Sequence, residues 1–403
     1  MLDIPTGTVK WHLFEAKSEM KKGMESMRNV SELKFNPIKF DLMGINGSTG
    51  TMGSTANFFR STLSQNIAYC VWKESKTINE IADCLGVSPV YVESEAEFLK
   101  EYGFLIKQGK KYLANLLIDE PTSELNQLQS NMYEAVAKLF ANTLYDELIK
   151  SELLHCEGLY YPNGDINFLM WTLIFYITAM SGEKSVENKV KFEEAVTMRP
   201  DGGYNIAYAS VLNSDVIPPK YFESIKKWCG PCWNGTQNLI LWQIASEWST
   251  HRVDERYPET AQHDLQLFER FLSDETLSAY EYAYMAEKGY IKTEGDPNEL
   301  FKASLEIVWI RDQETKKKLL DIGDAIKERY KEHFETLKLP FIKEVLECTP
   351  KQLYKMKAYG LQYTFHADGW FLLYCAKELV NNGKLQLPTE EQKKVLTTLI
   401  APN

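Results

Sequence analysis

The hydrophobic residues between Leu63 and Leu99 recur at spacings of three and four, which is the period of an α-helix with one buried face. Thr77 and Ser88 interrupt this pattern, and both residue types commonly cap the first turn of a helix. The pattern therefore predicts three short helices, with the second beginning after Thr77 and the third after Ser88. Gly86 precedes the third helix, where a left-handed residue would end the second one.

Two short alternating stretches follow the third helix, at residues 104–107 and 111–118, and Gln108-Gly109 between them predicts a tight turn. Three helices followed by a hairpin, called the wing, make a winged helix-turn-helix, which we assign to residues 58–122. The third helix would normally contact DNA bases, yet its outer face is mostly acidic, with Glu93, Glu95, Glu97 and Glu101 beside Lys100. Because DNA affinity depends largely on cations near phosphate, this face favours a protein-contact or structural role.

The remainder of the chain changes period several times, which predicts a helix-rich α+β domain over residues 123–403. Apolar residues at helical spacing predict a long helix or a pair of helices at residues 123–154 and a buried helix at residues 168–180. Further helices are expected after residue 311. The predicted fold class is therefore α+β, with a helix-turn-helix remnant, a winged helix-turn-helix and this C-terminal domain.

Strict alternation predicts strands in the C-terminal domain at residues 204–208, 240–248 and 301–309, the first of them after an Asp201-Gly202 turn. We expect these strands to share one aromatic-rich face, which either lines a ligand pocket or packs as core: Tyr204, Tyr208, Trp242 and Trp309. Residues 262–310 have the order of a second winged-helix-like unit, although any helix followed by a hairpin would give the same pattern.

A glycine-rich segment precedes the winged helix-turn-helix. Its four regularly spaced glycines leave little apolar surface to bury, so residues 29–57 are expected to form a flexible linker: Gly44, Gly47, Gly50 and Gly53. The spacing resembles a phosphate-binding loop, but neither Gly-Lys-Ser nor Gly-Lys-Thr follows it. We therefore predict no nucleotide cofactor at this segment.

Composition limits the class of protein. The chain has 403 residues, of which 44% are hydrophobic, and a net charge of -11, so we expect a globular protein rather than one that coats nucleic acid or a membrane. Its most apolar stretch, residues 168–180, is shorter than the roughly 20 residues of a membrane-spanning helix, which predicts no membrane partner. Seven cysteines, an odd number, fit reduced thiols, so we expect a cytoplasmic location.

The first 28 residues predict an amphipathic helix with one basic side. Gly7-Thr8-Val9-Lys10, followed by Leu13 and Ala16-Lys17, resembles the recognition helix of the promoter −35-reading domain in extracytoplasmic-function sigma factors. Three residues depart from that family's pattern, since Trp11 and His12 stand where Ser and Arg are usual, and Glu15 stands where a basic residue is common. The resemblance implies that residues 1–28 are the end of a helix-turn-helix that contacts promoter DNA through Lys10, Trp11, His12 and Lys17.

Three further segments, at residues 64–70, 86–93 and 98–105, resemble the long C-terminal extension of a subset of these sigma factors. The resemblance implies a transcription-regulatory protein of the sigma-70 family, with the polymerase-binding domain absent from this sequence. Such a chain is expected to be unable to initiate transcription alone, to bind promoter DNA weakly, and to contact RNA polymerase only in a longer form. Its extension would bind a protein partner or a small-molecule effector. The alternative is a ligand-sensing or protein-interaction module without DNA binding.

One motif would support redox chemistry, because Trp228-Cys229-Gly230-Pro231-Cys232 matches the thioredoxin motif of a thiol-disulfide oxidoreductase. That chemistry needs the first Cys at a helix N-terminus, where its pKa falls. Here a helix is predicted upstream, at residues 221–227, and Asn234-Gly235 predicts a turn downstream. We therefore expect two structural thiols in a tight Gly-Pro turn and no enzyme activity. No pattern in the sequence predicts a metal site or a cofactor.

Overall fold

The computed structural model describes most of the chain, namely residues 37–182, 190–249, 258–295 and 302–402, together with Glu15 and Lys17. Helices and short strands are mixed along it, which confirms the predicted α+β class. Contacts between residues divide the chain into two units. Unit 1 comprises Met1–Lys39 and Phe58–Ala114, and unit 2 comprises Phe40–Asn57 and Asn115–Asn403.

Part of the glycine-rich segment is a strand of unit 2 and not a linker. β1 (Phe40–Ser48) pairs antiparallel with β8 (Tyr204–Val211) over its length. Gly44 lies against the ring of Tyr208, whose hydroxyl oxygen would be 2.2 Å from a Cβ atom at this position. Glycine is thus required there for a close approach between strands. The linker prediction for residues 29–57 is wrong for this strand, and its residues before Pro37 lie outside the described part.

The part of unit 1 described from Pro37 onward forms three helices and a three-stranded antiparallel sheet, and the three helices and the hairpin after them follow the predicted order. The helices are α1 (Thr62–Cys70), α2 (Ile78–Leu85) and α3 (Pro89–Glu101). The strands are β2 (Lys76–Thr77), β3 (Leu105–Gln108) and β4 (Lys111–Ala114), with β4 between the other two. Buried apolar side chains from all three helices form its core, among them Ile67, Ile81, Leu85, Val92 and Leu99.

Local capping signals in unit 1 agree with the structure, with one exception. Thr77 and Glu80 form the predicted capping box, in which each side chain accepts the backbone N–H of the other residue. Gly86 has a φ of 65°, the left-handed conformation that ends α2. The side chain of Ser88 makes no capping hydrogen bond, so that detail of the prediction is wrong. Pro89 occupies the first turn of α3 and already fixes its φ angle there.

The second strand of the predicted wing is shorter than expected. β4 ends at Ala114, and the chain continues into β5 (Leu117–Asp119), which pairs parallel with β8 in unit 2. The predicted strand over residues 111–118 is therefore two strands of different sheets, and the predicted domain boundary at residue 122 lies too late. Alternation of apolar residues identifies a strand but not its partner.

The described residues of unit 2 form two larger sheets and a hairpin. In the first sheet β8 lies between β1 and β5, and β7 (Thr197–Met198) also pairs with β8. The second sheet has the order β6 (Leu159–Tyr160), β13 (Val308–Ile310), β14 (Thr397–Ile400), β10 (Ile240–Ala245) and β9 (Cys229–Gly235). The hairpin consists of β11 (Ile291–Glu294) and β12 (Lys302–Leu305). The strand predicted at residues 301–309 is thus two strands, β12 and β13.

The helices of unit 2 surround a core built on one apolar helix. In chain order they are α4 (Ser123–Lys150), α5 (Ile166–Met180), α6 (Phe192–Ala195), α7 (Phe222–Ile225), α8 (Pro258–Leu272), α9 (Ala279–Glu287), α10 (Gln313–Arg329), α11 (Lys331–Cys348), α12 (Tyr354–Gln362), α13 (Gly369–Asn381) and α14 (Glu390–Lys393). Every residue of α5 from Phe168 to Ala179 is buried, which confirms the predicted buried helix. Within the described residues, every helix is too short or too polar to cross a bilayer.

The order helix, hairpin, strand and long helix occurs twice along the chain, first from α3 to α4 and again from α9 to α10. A left-handed glycine ends the first helix each time, with φ of 77° at Gly103 and 71° at Gly289. The next residue is a buried aromatic, Phe104 or Tyr290, whose N–H bonds back into the helix at 2.8 or 2.9 Å. α8, α9 and the β11–β12 hairpin thus have the element order predicted for residues 262–310.

Candidate functional site

The DNA-contacting residues expected from the N-terminal resemblance are mostly outside the described part of the chain. Lys10, Trp11 and His12 lie outside the described residues. Lys17 is described, and it is helical and exposed, as is Glu15 two residues earlier. An exposed cation on a helix suits contact with phosphate, but it is equally common on any solvated helix.

The outer surface of α3 combines exposed apolar and acidic side chains. Val90 is 71% exposed and Tyr91 is 69% exposed, at the start of the helix. Glu93 and Glu101 are exposed further along. Such a surface repels the DNA backbone, whereas exposed apolar side chains beside carboxylates suit a protein contact.

One of the α3 glutamates is neutralised by the wing. The Nζ atom of Lys107 in β3 lies 2.5 Å from a Glu97 carboxylate oxygen, and the Tyr112 hydroxyl in β4 donates to the same oxygen. These two hydrogen bonds, from Lys107 first and Tyr112 second, lower the pKa of Glu97 to about 2. Lys107 is therefore engaged with α3, and Lys110 and Lys111 remain as exposed cations at the tip of the wing.

The four aromatic residues predicted to line one pocket lie in two different sheets. Tyr204 and Tyr208 are in β8 of the first sheet, whereas Trp242 and Trp309 are in β10 and β13 of the second. The prediction of a single shared face is therefore wrong. Tyr204 packs edge-on against Phe192, and buried Trp242 packs edge-on against Tyr176 of α5. Only Trp309, of these four, lines the pocket described next.

A pocket of about 490 Å³ opens in unit 2 beside β6, β12 and β13 and the turn between α8 and α9. Trp309 of β13 pairs directly with Tyr160 of β6, so neighbouring aromatic rings form one wall. Arg311 follows two residues after Trp309, and its guanidinium carbon lies 5.1 Å from the Trp309 ring centroid and 5.4 Å from that of Tyr160. The short β6–β13 pairing therefore brings a cation and two aromatic rings to one side of the pocket.

The polar groups on this wall are mainly hydrogen-bond donors. Arg311 donates from Nη1 to the backbone carbonyl of Glu157 at 3.2 Å, and it has no carboxylate partner among the residues that the structure describes. The Trp309 Nε1–H is shielded from solvent and has no hydrogen-bond acceptor. Tyr160 donates to the Leu305 carbonyl at 2.7 Å, and burial raises the pKa of its hydroxyl. Sequence reasoning missed Tyr160 and Arg311, because only strand pairing brings Tyr160 to Trp309.

The Cys229-Gly230-Pro231-Cys232 motif lies in β9, where Cys232 is opposite Gln243 and Cys229 is opposite Ala245 in β10. The predicted Gly-Pro turn is therefore wrong, and the strand continues to Gly235. The upstream helix, α7, is present but shorter than predicted. Neither Cys is at a helix N-terminus, which is where a redox-active thiol is usually activated. The absence of enzyme activity stays a prediction.

Comparison with known proteins adds no family to this geometry. No family model, no curated protein and no solved structure matches the chain. The described residues also contain no group of three or more His, Cys, Asp or Glu side chains arranged to hold a metal ion. The functional argument therefore depends on the surface of α3 and the wing, and on the pocket beside Trp309.

Proposed function

We propose that this chain regulates transcription, as the C-terminal regulatory part of a sigma-70 family sigma factor. The observation that carries the proposal is the order of elements in unit 1, in which helices α1 to α3 are followed by the β3–β4 hairpin. That order is typical of winged helix-turn-helix modules in proteins that act at DNA. Promoter contact is assigned to Lys10, Trp11, His12 and Lys17, and contact with RNA polymerase to a longer form of the protein.

The surface formed by α3 and the wing is suited to weak DNA binding at most. Glu93 and Glu101 occupy the exposed face of α3, and Lys107 is held by Glu97. Lys110 and Lys111 at the wing are exposed and have no ion-pair partner among the described residues. Two free cations neutralise about two phosphates, which gives little affinity at physiological ionic strength. The exposed Val90 and Tyr91 favour a protein partner for α3 itself.

The test is a fluorescence-anisotropy titration of the whole chain with labelled duplex DNA at about 0.05 M and about 0.15 M salt. We expect dissociation constants in the micromolar range or weaker, which increase steeply with salt. The salt slope is the slope of the logarithm of the affinity against the logarithm of the salt concentration. The double variant Lys110→Gln, Lys111→Gln should reduce the magnitude of this slope by about 2 if both lysines contact phosphate. Lys138→Gln, Lys150→Gln changes the charge equally on exposed positions of α4 and serves as the matched control. Nanomolar sequence-selective binding, or equal effects of the two double variants, would contradict the proposal for unit 1.

The second candidate is a ligand-sensing or protein-interaction module without DNA binding. The acidic surface of α3 and the pocket beside Trp309 both favour it. The same titration separates the two candidates, because this module would leave the anisotropy of the DNA unchanged even at about 0.05 M salt.

A further inference from the structure

We infer that the pocket of unit 2 formed by Tyr160, Trp309 and Arg311 binds a small aromatic monocarboxylate. The carboxylate would accept hydrogen bonds from Arg311, and the ring would lie beside the aromatic side chains of Tyr160 and Trp309. This inference goes beyond the proposed function and does not depend on DNA binding by unit 1.

The size of the pocket suits a small organic molecule. Its volume of about 490 Å³ lies within the range of about 300 to 1,000 Å³ that is usual for small-molecule sites. The turn between α8 and α9 contributes Phe271 and Leu272, and the β12 end contributes Ala303. The remaining lining is largely polar and includes Thr276 and Ser304, so the aromatic wall of Tyr160 and Trp309 is the part that favours a flat ring.

A cation in the pocket selects an anion. The exposed Arg311 side chain lies over the rings of Tyr160 and Trp309 and has no carboxylate partner among the described residues. An accessible guanidinium without such a partner binds carboxylates through charge-assisted hydrogen bonds. The Trp309 Nε1–H is shielded from solvent, so a ligand in the pocket would contact the Trp309 ring rather than this N–H.

The acidic side of the pocket limits the charge of the ligand. Glu275 is compensated by Arg270, whose Nε lies 3.3 Å from its carboxylate. Asp274 lines the same pocket and has no cationic partner among the residues that the structure describes. A ligand with several negative charges would meet one cation and one repelling carboxylate, so the balance favours a single negative charge. A nucleoside triphosphate is therefore disfavoured relative to a monocarboxylate.

Calorimetric titration of the whole chain with benzoate, salicylate and indole-3-acetate tests the inference. We expect at least one of them to bind with a dissociation constant below about 1 mM. The matching neutral amide and ATP should each bind about tenfold more weakly or not at all, because neither supplies a single carboxylate to Arg311. If none of the carboxylates binds, or if ATP binds more tightly than all of them, the inference is wrong.

Variants locate the binding in this pocket. Arg311→Gln should reduce the affinity for the tightest-binding carboxylate by about tenfold or more. Arg329→Gln removes an exposed arginine of α10 and should leave that affinity unchanged. Selective ¹⁵N labelling of tryptophan provides a second readout. The indole N–H signal of Trp309, identified by its loss in Trp309→Phe, should move on addition of the carboxylate. An unchanged affinity in Arg311→Gln, or a Trp309 signal that does not move, would overturn the assignment.

Discussion

Arg199 donates from Nε to the carboxylate of Asp201 at a distance of 3.1 Å, and neither side chain of this ion pair is more than 3% exposed. The same carboxylate accepts the backbone N–H of Met52 at 3.2 Å, and a Cβ atom at Gly50 would lie 2.3 Å from it. The carbonyl oxygen of Gly53 accepts a hydrogen bond from the Arg199 guanidinium at 3.0 Å. The glycine-rich residues after β1 therefore fold around a buried ion pair.

Replacement of Asp201 by Ala should strongly destabilise unit 2. The variant leaves the Arg199 guanidinium buried without its carboxylate, and breaking a buried pair in this way typically costs about 3–5 kcal/mol of the free energy of unfolding. Urea unfolding followed by circular dichroism measures the change. Asp215→Ala, at an exposed position, is the control and should change stability by less than about 0.5 kcal/mol. Similar losses in both variants would show that the ion pair contributes little.

Removal of the Tyr133 hydroxyl should destabilise the contact between α4 and α13. Tyr133 donates to a carboxylate oxygen of Asp368 at 2.5 Å, and the other oxygen of Asp368 accepts the Trp370 N–H that begins α13. Burial raises the pKa of Asp368, and the hydrogen-bond donors around its carboxylate stabilise the charged form against this effect. Tyr133→Phe should lower the free energy of unfolding by about 1–3 kcal/mol. Tyr354→Phe, at a side chain that is 47% exposed, provides the control and should have little effect.

A buried lysine should make the stability of unit 2 depend on pH. Lys327 of α10 donates to the carbonyl oxygens of Thr178 and Ser181, at 2.9 and 2.8 Å, where α5 ends. Burial lowers its pKa from 10.5 to about 7, although Cys375, Asp324 and Asp368 oppose this shift. The nearby His366 imidazole is also kept neutral, since burial lowers its pKa to about 3.

The sign of the pH effect follows from the proton balance. Between about pH 7 and 10.5 the unfolded chain carries the Lys327 proton and the folded chain does not, so unfolding takes up a proton. A rise in pH across this window should therefore stabilise the wild type relative to Lys327→Met, by at most about 4–5 kcal/mol. Urea unfolding at several pH values measures the difference, with exposed Lys343→Met of α11 as the control. Parallel pH profiles for wild type and Lys327→Met would contradict the expected shift.

Release of Lys107 from α3 should strengthen the DNA binding proposed for unit 1. Glu97→Gln removes one negative charge and leaves Lys107 free for a phosphate, so duplex affinity at low salt should rise several-fold and the salt slope should steepen by about 1. The matched control is Glu134→Gln, which breaks an ion pair with Lys220 in unit 2 at 3.0 Å. An increase of the same size in the control would indicate a general effect of net charge.

Features set by neighbouring residues were predictable from the sequence. The Thr77–Glu80 capping box, the left-handed Gly86 and the buried helix α5 depend on residues a few positions apart, and all three are present. Features set by distant pairing were not. The residues next to Gly44 in the sequence do not indicate that Tyr208 lies against this glycine. The glycine spacing alone therefore predicts a flexible segment.

The candidate pocket shows the same limit. Alternation predicts that Trp309 lies in a strand, but it does not show that the neighbour of Trp309 across the sheet is Tyr160. A lone arginine after a strand is usually a solvated surface residue, so the sequence gives no reason to select Arg311. Its stacking on both rings appears only once β6 and β13 pair.

The central place of β14 in the second sheet has a consequence for synthesis on the ribosome. β14 pairs parallel with β13 on one side and antiparallel with β10 on the other. Until residues 397–400 have been translated, the nascent sheet consists of two halves, β6 with β13 and β10 with β9, each with an open edge. Open strand edges bind other extended chains. The two halves of the sheet can join only after nearly the whole chain described here has been made.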